Sequence, residues 1–466
     1  MSALWPTSAL AAATGGRMTM PFSASGISID TRTLRPADLF VALAGERADG
    51  HAYVADALSR SAAGAMVSAI PAGLTETAPL LVVPDTLAGL TRLGAFARAR
   101  SAARIAAITG SVGKTTTKEM LRRILSAAGP THAARASYNN HWGLPLTLAE
   151  LPPEAAFAIL EIGTNHAGEI APLAALARPH IAIVTAIAGA HIGNFGSLEA
   201  IADEKAALLA ALEPNGTAIL PADSPFLPRL LARVPPGCTI ITFGDSAAAN
   251  ARLLATDTDS TGTTVTALLA RETVRLRLAA PGQHMALDAL AALAAATALG
   301  IPPYGAAAAL AGFAALDGRG ARTAIALPGG TAILLDESYN ASPAAVTAAL
   351  SVLAMNGGSG RRLAVLGDML ELGEAAAAEH EALAPALAES ADLLFACGPM
   401  MRRLFERAPP RLRGAYAEDA ETLAPIVAAA VAPGDIVLVK GSLGSRMRAI
   451  VVALKKPPTP AGGEGG

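Results

Sequence analysis

The sequence predicts an α/β fold of three domains, a small one followed by two that are built on parallel sheets. Strand-like runs alternate with helix-like runs from about residue 100 onward, which is typical of parallel sheets covered by helices. A glycine-rich turn joins the first of these strands to a helix, and a second series of strands begins beyond a glycine-rich segment near residue 320. These observations together define the predicted architecture.

Residues 1–86 are assigned to a small N-terminal α/β domain, because their hydrophobic runs are short and the turn-rich segment 45–51 interrupts them. Residues 87–318 should form the central domain, a parallel sheet behind a phosphate-binding P-loop. Its predicted strands are Arg104 to Thr109, Phe157 to Ile162, Ile181 to Ala186 and Thr217 to Leu220. A helix from about His284 to Leu299, ended by Gly300 with two prolines just beyond, should close this domain.

Residues 319–466 are assigned to a C-terminal Rossmann-like domain, which begins in the hinge-like segment 316–322. Its predicted strands are Thr331 to Leu335, Leu363 to Leu366, Leu393 to Ala396 and Ile436 to Val439. Alanine-rich amphipathic stretches separate these strands, as expected for a doubly wound sheet. The last twelve residues contain three prolines and four glycines and should form a loose tail.

Residues 108–117 predict a phosphate-binding loop between a strand and a helix. Gly110 and Gly113 allow the backbone to turn tightly and to direct its N–H groups at an anion. Lys114 can reach terminal phosphates, and the hydroxyl of Thr115 suits a Mg²⁺ ion. The loop is shorter than the full Walker spacing, because Ile108 stands where the first glycine of that pattern would be.

Composition excludes several classes of protein. Hydrophobic residues make up 52% of the 466-residue chain and charged residues 16%, so the chain should not be disordered. No run of about 20 strongly apolar residues is present, and membrane insertion is therefore not expected. A net charge of −2 and an aromatic content of 4% argue against a nucleic-acid partner. Two cysteines, Cys238 and Cys397, lie in or beside separate strand-like stretches, so we expect no disulfide framework and a cytoplasmic protein. We also expect a monomer.

Polar side chains follow several predicted strands, at the edge where open α/β sheets bind ligands. Glu161 ends the second central strand, where a carboxylate could bind Mg²⁺, and His191 follows the third. A solvated strand end and a structural histidine are the alternative interpretations of these two residues. Further candidates, each of which could also be an ordinary turn residue, are Asn139, Asn140, Asp336, Tyr339 and Asn340. Lys205 lies beside Asp203 and Glu204 in a helix-like stretch, so by itself it predicts a solvated helix face.

Five segments, taken in order, resemble the Mur ligase family of peptidoglycan synthesis over nearly the whole chain: residues 108–120, 138–148, 161–170, 336–346 and 366–373. Residues 28–32 and 38–47 resemble the uridine-nucleotide-binding domain of that family. The resemblance implies an ATP-dependent, ADP-forming ligase that uses Mg²⁺. Its implied substrates are UDP-N-acetylmuramoyl-tripeptide and D-alanyl-D-alanine, which are joined through an acyl phosphate.

The resemblance also implies roles for individual residues. Lys114, Lys205 and His191 would be catalytic, and Thr115, Glu161, His191 and Lys205 would serve the metal. ATP would contact Gly110, Ser111, Gly113, Lys114, Thr115, Thr116, Arg319 and Asp336. The substrates would contact Ser28, Thr31, Arg32, Asn139, Asn140, Tyr339 and Asn340. Lys205 falls where the family has a lysine carbamate, whereas Met285 and Asp288 stand where family members often have asparagines.

Three alternatives share parts of this pattern. A sister ligase that adds a diamino acid would have the same architecture, but its usual Asp-Asn-Pro-Arg motif is not found in this chain. A ligase similar to folylpolyglutamate synthase would share the ATP loop and should lack the uridine-type first domain. A nucleotide-switch ATPase would hydrolyse ATP without an amine acceptor.

Overall fold

Three sheets, which follow one another along the chain, form the framework of this α/β protein. The computed structural model describes residues 3–45, 48–134, 137–189, 192–357 and 360–456. The predicted fold class is confirmed, with a mainly parallel sheet in each third of the chain. The division of the chain after residues 86 and 318 stays a prediction, and most of the predicted C-terminal tail lies outside the described residues.

The N-terminal sheet has five strands in the order β1-β5-β4-β3-β2, and only β1 is antiparallel to its neighbour. The strands are β1 (Arg17–Met18), β2 (Gly26–Ser28), β3 (Asp38–Val41), β4 (Gly64–Val67) and β5 (Leu80–Val82). The helices are α1 (Thr7–Thr14), α2 (Val54–Ser59) and α3 (Thr86–Arg100). The Asp85 carboxylate accepts the backbone N–H of Ala88 and thereby caps α3.

The central sheet has nine strands in the order β14-β13-β12-β11-β10-β9-β6-β8-β7. The strands are β6 (Arg104–Thr109), β7 (Thr131–Ala133), β8 (Phe157–Glu161), β9 (Ile181–Val184), β10 (Thr217–Pro221), β11 (Thr239–Gly244), β12 (Ala251–Asp259), β13 (Gly262–Leu269) and β14 (Glu272–Leu278). The helices are α4 (Lys114–Ser126), α5 (Gly143–Ala149), α6 (Ile170–Ala177), α7 (Ile192–Phe195), α8 (Leu198–Ala206), α9 (Leu227–Leu231), α10 (Gln283–Ala298) and α11 (Pro303–Leu310). All neighbours from β7 to β12 are parallel, whereas β12, β13 and β14 form an antiparallel meander.

The four strands that the sequence predicts in this region correspond to β6, β8, β9 and β10. The meander of β12 to β14 was not predicted, because it is joined by tight turns and its threonines and arginines alternate with the buried apolar residues. The helix predicted near His284 to Leu299 corresponds to α10.

Helix α10 packs against α4 and the meander in the largest hydrophobic core of the chain. The inward side of α4 contributes Met120, Leu121, Ile124 and Leu125, as its sequence periodicity predicts. Helix α10 is buried on most of its surface, and most of its buried side chains are alanines. Because alanine is small, α10 can approach α4 closely, and this approach brings the N-terminal end of α10 to the phosphate loop.

The C-terminal sheet has six strands in the order β15-β16-β20-β17-β18-β19, and only β15 is antiparallel. The strands are β15 (Ala321–Leu327), β16 (Gly330–Glu337), β17 (Arg362–Gly367), β18 (Leu393–Cys397), β19 (Arg413–Ala417) and β20 (Ile436–Lys440). The helices are α12 (Pro343–Ala354), α13 (Ala376–Glu381), α14 (Ala384–Ser390), α15 (Met401–Arg407), α16 (Ala420–Ala430) and α17 (Arg448–Lys455). The predicted strands correspond to β16, β17, β18 and β20, and the strands β15 and β19 at the two edges were not predicted.

A direct contact joins the central and C-terminal domains beside the cleft between them. The backbone N–H of Gly193 in α7 donates to the carbonyl of Glu371, 3.1 Å away. A Cβ on Gly193 would lie 2.6 Å from the Gly373 nitrogen, so the two backbones meet at glycines. Ile192 packs against the C-terminal core. Among the described residues, no helix has both the length and the apolar character needed to cross a bilayer.

Candidate active site

The phosphate loop follows β6 and leads into α4, where the sequence predicts it. Gly110 has a φ of +149° and Gly113 a φ of +82°, a region of backbone conformation that favours glycine. A Cβ on Gly110 would overlap the hydroxyl of Thr185. This hydroxyl follows β9 and donates to the carbonyls of Thr109 and Val112, so it holds the loop from the neighbouring strand.

Lys114 is the first residue of α4, and its side chain lies over the loop. The ammonium Nζ donates to the carbonyl of Gly110 at 2.7 Å. Burial lowers the pKa of Lys114, the positive charge of Arg319 lowers it further, and the carboxylate of Glu161 opposes the shift. Ser111 fixes the loop on the other side, because its hydroxyl donates to the carbonyl of Ala188 at 2.8 Å.

Glu161 ends β8 beside the loop and is the centre of the polar network under the cleft. Its carboxylate is 1% exposed. Oε2 accepts the hydroxyl of Thr115 at 2.9 Å, and Oε1 accepts the amide of Asn139 at 2.8 Å. The ammonium of Lys118, on the next turn of α4, lies 3.8 Å from Oε2. Glu161 is therefore a buried, bonded carboxylate and not a solvated strand end.

A cavity of about 560 Å³ opens above this network, between the central and C-terminal sheets. This volume lies in the range of about 300 to 1,000 Å³ that small-molecule sites usually occupy. The central domain contributes the residues of the loop from Ser111 to Thr116, together with Asn139, Glu161 and Asp288. The C-terminal side contributes Arg319, Glu337, Tyr339, Asn340, Lys440 and Leu443, among others.

Arg319 brings a cation to the cleft from the segment before β15. Its guanidinium carbon lies 4.1 Å from the centre of the Tyr339 ring, and Nη2 donates to the hydroxyl of Ser137 at 3.2 Å. No described carboxylate pairs with Arg319. A planar guanidinium held in this way can bind a phosphate or carboxylate through two parallel hydrogen bonds.

Lys440, at the end of β20, is the second cation of the C-terminal wall. It is 3% exposed, and its Nζ donates to Glu337 Oε2 at 3.1 Å and to the carbonyl of Asn340 at 2.9 Å. Because Lys440 already has these partners, its main local effect is to fix the loop after β16. Asn340 and Tyr339 are held at the cleft by this loop.

Lys205, in α8, is buried with 3% of its surface exposed. The solvated helix face that its neighbours predict is therefore wrong. Burial and the nearby charge of Lys114 lower the pKa of Lys205 to about 7, and the charge of Glu204 opposes this shift. Glu204 itself caps α6, because its carboxylate accepts the N–H groups of Gly168 and Ile170 at 2.7 Å each. A lysine with such a pKa is partly an uncharged amine at neutral pH.

The other predicted residues are divided between the cleft and more distant positions. Asn140 does not line the cleft, since its Oδ1 accepts the N–H of Gly143 at 2.9 Å and caps α5. Asp336 is 4% exposed and accepts the N–H and hydroxyl of Ser338, behind the cleft wall. Ser28, Thr31 and Arg32 lie in the N-terminal domain, outside this cavity; the Arg32 side chain is 86% exposed and pairs with Asp30. His191 lies outside the described residues.

Several residues of the site were not among the sequence-predicted candidates: Lys118, Thr185, His284, Glu337, Leu370 and Leu443. Thr185 and Glu337 could have been found, because each stands at the carboxyl end of a strand. Lys118 gave no signal, since a lysine in an amphipathic helix is normally a surface residue. The exposed Leu370 and Leu443 come from two loops, residues 366–373 and 440–446, that the sequence places at the same sheet edge, but these two side chains were not singled out.

The glycine at position 113 gives a direct test of the loop geometry. A Cβ there would overlap the carboxylate of Asp288, whereas Gly237, also at φ +82°, has no atom within 4 Å of the added Cβ. We expect Gly113→Ala and Gly237→Ala each to lose about 1–2 kcal/mol of stability through left-handed strain. The phosphate-loop interpretation predicts that Gly113→Ala alone also weakens ADP binding by about tenfold or more, because the new methyl group displaces the loop. A tenfold loss of affinity corresponds to only about 1.4 kcal/mol of binding free energy. Calorimetric ADP titration of both variants checks this, and equal affinities would contradict it.

The chain matches known protein families along most of its length. Three family models match consecutive parts of the chain: "Mur ligase family, catalytic domain" at residues 23–80, "Mur ligase middle domain" at residues 108–296, and "Mur ligase, glutamate ligase domain" at residues 322–443. The phosphate loop, Glu161 and all but the last two residues of α10 lie in the middle match. The residues from Glu337 to Lys440 lie in the third match.

Curated relatives are similar over almost the whole chain. The Escherichia coli protein named UDP-N-acetylmuramoyl-tripeptide--D-alanyl-D-alanine ligase is 36% identical over 438 residues, which cover 93% of this chain and 94% of the relative. The Bacillus subtilis protein of the same name is 31% identical, with 93% of each chain covered.

Solved structures are also similar over almost the whole chain. A crystal structure of MurF from Acinetobacter baumannii has a TM-score of 0.84 at 29% identity and covers 97% of this chain and 98% of its own. The MurF ligase of Thermotoga maritima, solved in complex with ADP, has a TM-score of 0.77, and the match covers 92% of this chain and 97% of the other. At its 24% identity this second likeness concerns the fold.

Proposed function

The chain belongs to the Mur ligase family, and we propose that it joins D-alanyl-D-alanine to UDP-N-acetylmuramoyl-tripeptide with the conversion of ATP to ADP and phosphate. It is a ligase, and the relatives named UDP-N-acetylmuramoyl-tripeptide--D-alanyl-D-alanine ligase in Escherichia coli and Bacillus subtilis each match 93% of its length. The observation that supports the reaction most strongly is the position of Arg319. Its guanidinium, which forms an ion pair with no carboxylate of the described residues, faces the cleft that the phosphate loop lines.

The chemistry requires two anions to approach each other. The γ-phosphate of ATP is attacked by a carboxylate oxygen of the tripeptide, which forms an acyl phosphate and releases ADP. The dipeptide amine then attacks the carbonyl carbon, an amide forms, phosphate leaves and the amine loses a proton. Lys114 and Arg319 supply positive charge from the two walls of the cleft, so that phosphate and carboxylate repel each other less in the transition state.

Thr115 and Glu161 would hold a Mg²⁺ ion. A hydroxyl and a carboxylate oxygen, 2.9 Å apart beside the loop, are hard oxygen ligands of the type that Mg²⁺ prefers, so the residues present fit this ion. When bound, the ion would neutralise phosphate charge. The amide of Asn139 keeps Glu161 in place. His191, which lies outside the described residues, stays a predicted ligand.

Lys205 would act as a carbamate. A partly uncharged amine can add to carbon dioxide, with the loss of one proton, and form an N-carboxylate. This reaction replaces a buried cation, which Lys114 repels, with an anion, which Lys114 attracts. The modified side chain could then serve as a further metal ligand.

The remaining substrates would occupy the other surfaces of the molecule. The N-terminal domain, with Ser28, Thr31 and Arg32, would bind the uridine nucleotide, and Tyr339 and Asn340 would contact substrate in the cleft. The ATP contacts at Gly110, Ser111, Thr116 and Arg319 belong to the same proposal; Asp336 would act through the loop after β16. We place the enzyme in the cytoplasm, as a monomer, in peptidoglycan synthesis for cell-wall growth and division.

Phosphate release tests this function directly. We expect release only when ATP, a UDP-linked tripeptide and D-alanyl-D-alanine are all present. A second assay tests the sister-ligase alternative. In it, a diamino acid replaces D-alanyl-D-alanine, and a UDP-linked dipeptide replaces the UDP-linked tripeptide. Release without any amine acceptor would indicate a nucleotide-switch ATPase. Release with the diamino acid and the UDP-linked dipeptide, but not with D-alanyl-D-alanine and the tripeptide, would indicate the sister ligase.

A further inference from the structure

Asp288 lies one turn inside α10, directly against the phosphate loop. The geometry is tight enough that a Cβ on Gly113 would overlap its Oδ1 and approach its Cγ to 3.0 Å. The side chain also lines the cleft with Lys114, Thr115 and Thr116. A carboxyl group is thus placed where the phosphates of a nucleotide would lie.

Asp288 has no described cation within ion-pair distance. The buried hydroxyl of Thr117 lowers the pKa of Asp288, although this hydroxyl has no hydrogen-bond partner of full geometry. Burial dominates and raises the pKa of Asp288 to about 8. A carboxyl group in this position is therefore mostly protonated at neutral pH.

We propose that Asp288 lies against the phosphate loop as a neutral acid when nucleotide is bound, and that nucleotide binding at high pH therefore returns a proton from solvent to its carboxylate. The inference rests on the proposed binding of nucleotide at this loop. Ionised Asp288 would repel the phosphates, because its carboxylate lies directly against Gly113 of the loop that would bind them. The protonated form removes this repulsion, and its O–H can donate to a phosphate oxygen or to Thr117.

The sign of the pH dependence follows from linkage. Phosphate next to the carboxyl group raises its pKa further, so the complex binds more protons than the free protein above pH 8. Nucleotide affinity should be nearly constant well below pH 8. Above this pH it should fall by up to about tenfold per pH unit, as expected when one proton is taken up.

Other groups at the cleft titrate or carry charge and must be separated from Asp288. The loop side has Lys114 and Glu161, α10 has His284, and the C-terminal wall has Arg319, Glu337, Tyr339 and Lys440. Burial lowers the pKa values of Lys114 and His284. Loss of the Lys114 proton would also weaken nucleotide binding at high pH, so the comparison must be made with a variant that keeps Lys114.

Asp288→Asn is that variant, because it keeps the shape and removes the ionisation. ADP with magnesium chloride is titrated by calorimetry between pH 7 and pH 9.5, in buffers of different ionisation enthalpy that report proton uptake. At pH 8 the wild-type protein should take up about half a proton more than Asp288→Asn, since the free carboxyl group is then half ionised. The fall in affinity above pH 8 should be less steep in the variant.

Glu150 provides a matched control. Burial raises the pKa of this carboxyl group to about 7, but Glu150 lies outside the cleft, beside Asp38 of the N-terminal domain. Glu150→Gln should therefore match the wild-type protein in ADP affinity and proton uptake. Equal proton uptake by wild type and Asp288→Asn would overturn the inference. Absence of ADP binding by the wild-type protein at pH 7 would overturn the proposed function, and the inference with it.

Discussion

Replacing Lys114 by alanine is expected to reduce kcat/KM by at least about two to three orders of magnitude. Lys114 is the cation of the phosphate loop, and its ammonium is already held over Gly110 before any ligand is bound. Removal of one preorganised transition-state donor costs about 2.7–4 kcal/mol in other enzymes. Because the charge that it faces increases during phosphoryl transfer, kcat should fall along with kcat/KM.

Arg122→Ala is the matched control for this variant. Arg122 is on the same helix, has 49% of its side chain exposed, and pairs with Glu119 at the surface. Arg122→Ala should leave kcat within about twofold of the wild-type value, because exposed ion pairs of this kind contribute little free energy. Steady-state phosphate release with all three substrates measures both variants. A near-normal rate for Lys114→Ala would contradict the assignment of the loop.

Replacing Lys205 by alanine is expected to abolish turnover, and a short carboxylic acid such as acetate should partly restore it. The expectation follows from the burial of Lys205 and from the pKa of about 7, which leaves an amine free to react with carbon dioxide. Wild-type activity should also fall when carbon dioxide is removed from the buffer, and it should recover when bicarbonate is added. These two effects point to a carboxylate, and a simple structural lysine would not produce them.

Asp203→Ala controls for changes in α8 itself. Asp203 lies two residues before Lys205, is 45% exposed and pairs with Arg229. This variant should keep its turnover and its response to bicarbonate. Full activity of Lys205→Ala, or an inactive variant that no carboxylic acid rescues at any concentration, would contradict the carbamate.

The elements that the sequence predicts best are those in which strands and helices alternate. The runs at Arg104 to Thr109 and Leu393 to Ala396 are short, apolar and bounded by turns, and they became β6 and β18 with bounds that agree within one residue. The meander of β12 to β14 was not predicted, because many of its residues face solvent and no helix separates its strands. The edge strand β15 carries the exposed Arg322, and β19 carries the exposed Arg413 and Gly414; these residues weaken the strand signal.

Only part of the candidate site could likewise be predicted from the sequence. The phosphate loop could be predicted because its residues are adjacent in sequence. Lys118, Glu161 and Asn139 meet only after folding, and the charge balance between them has no local signature. Lys205 was predicted to be solvated because its neighbours are acidic, whereas one of them, Glu204, is used inside the protein to cap α6.

In the proposed reaction, the loop around Lys114 directs the γ-phosphate of ATP to the terminal carboxylate of the tripeptide. The most direct measurement uses UDP-linked tripeptide labelled with ¹⁸O in that carboxylate, in a reaction with ATP and D-alanyl-D-alanine. Mass spectrometry of the released phosphate should find one ¹⁸O atom per molecule, because the acyl phosphate breaks between carbon and oxygen when the amine attacks. Phosphate without ¹⁸O, formed while the dipeptide is joined, would contradict this reaction.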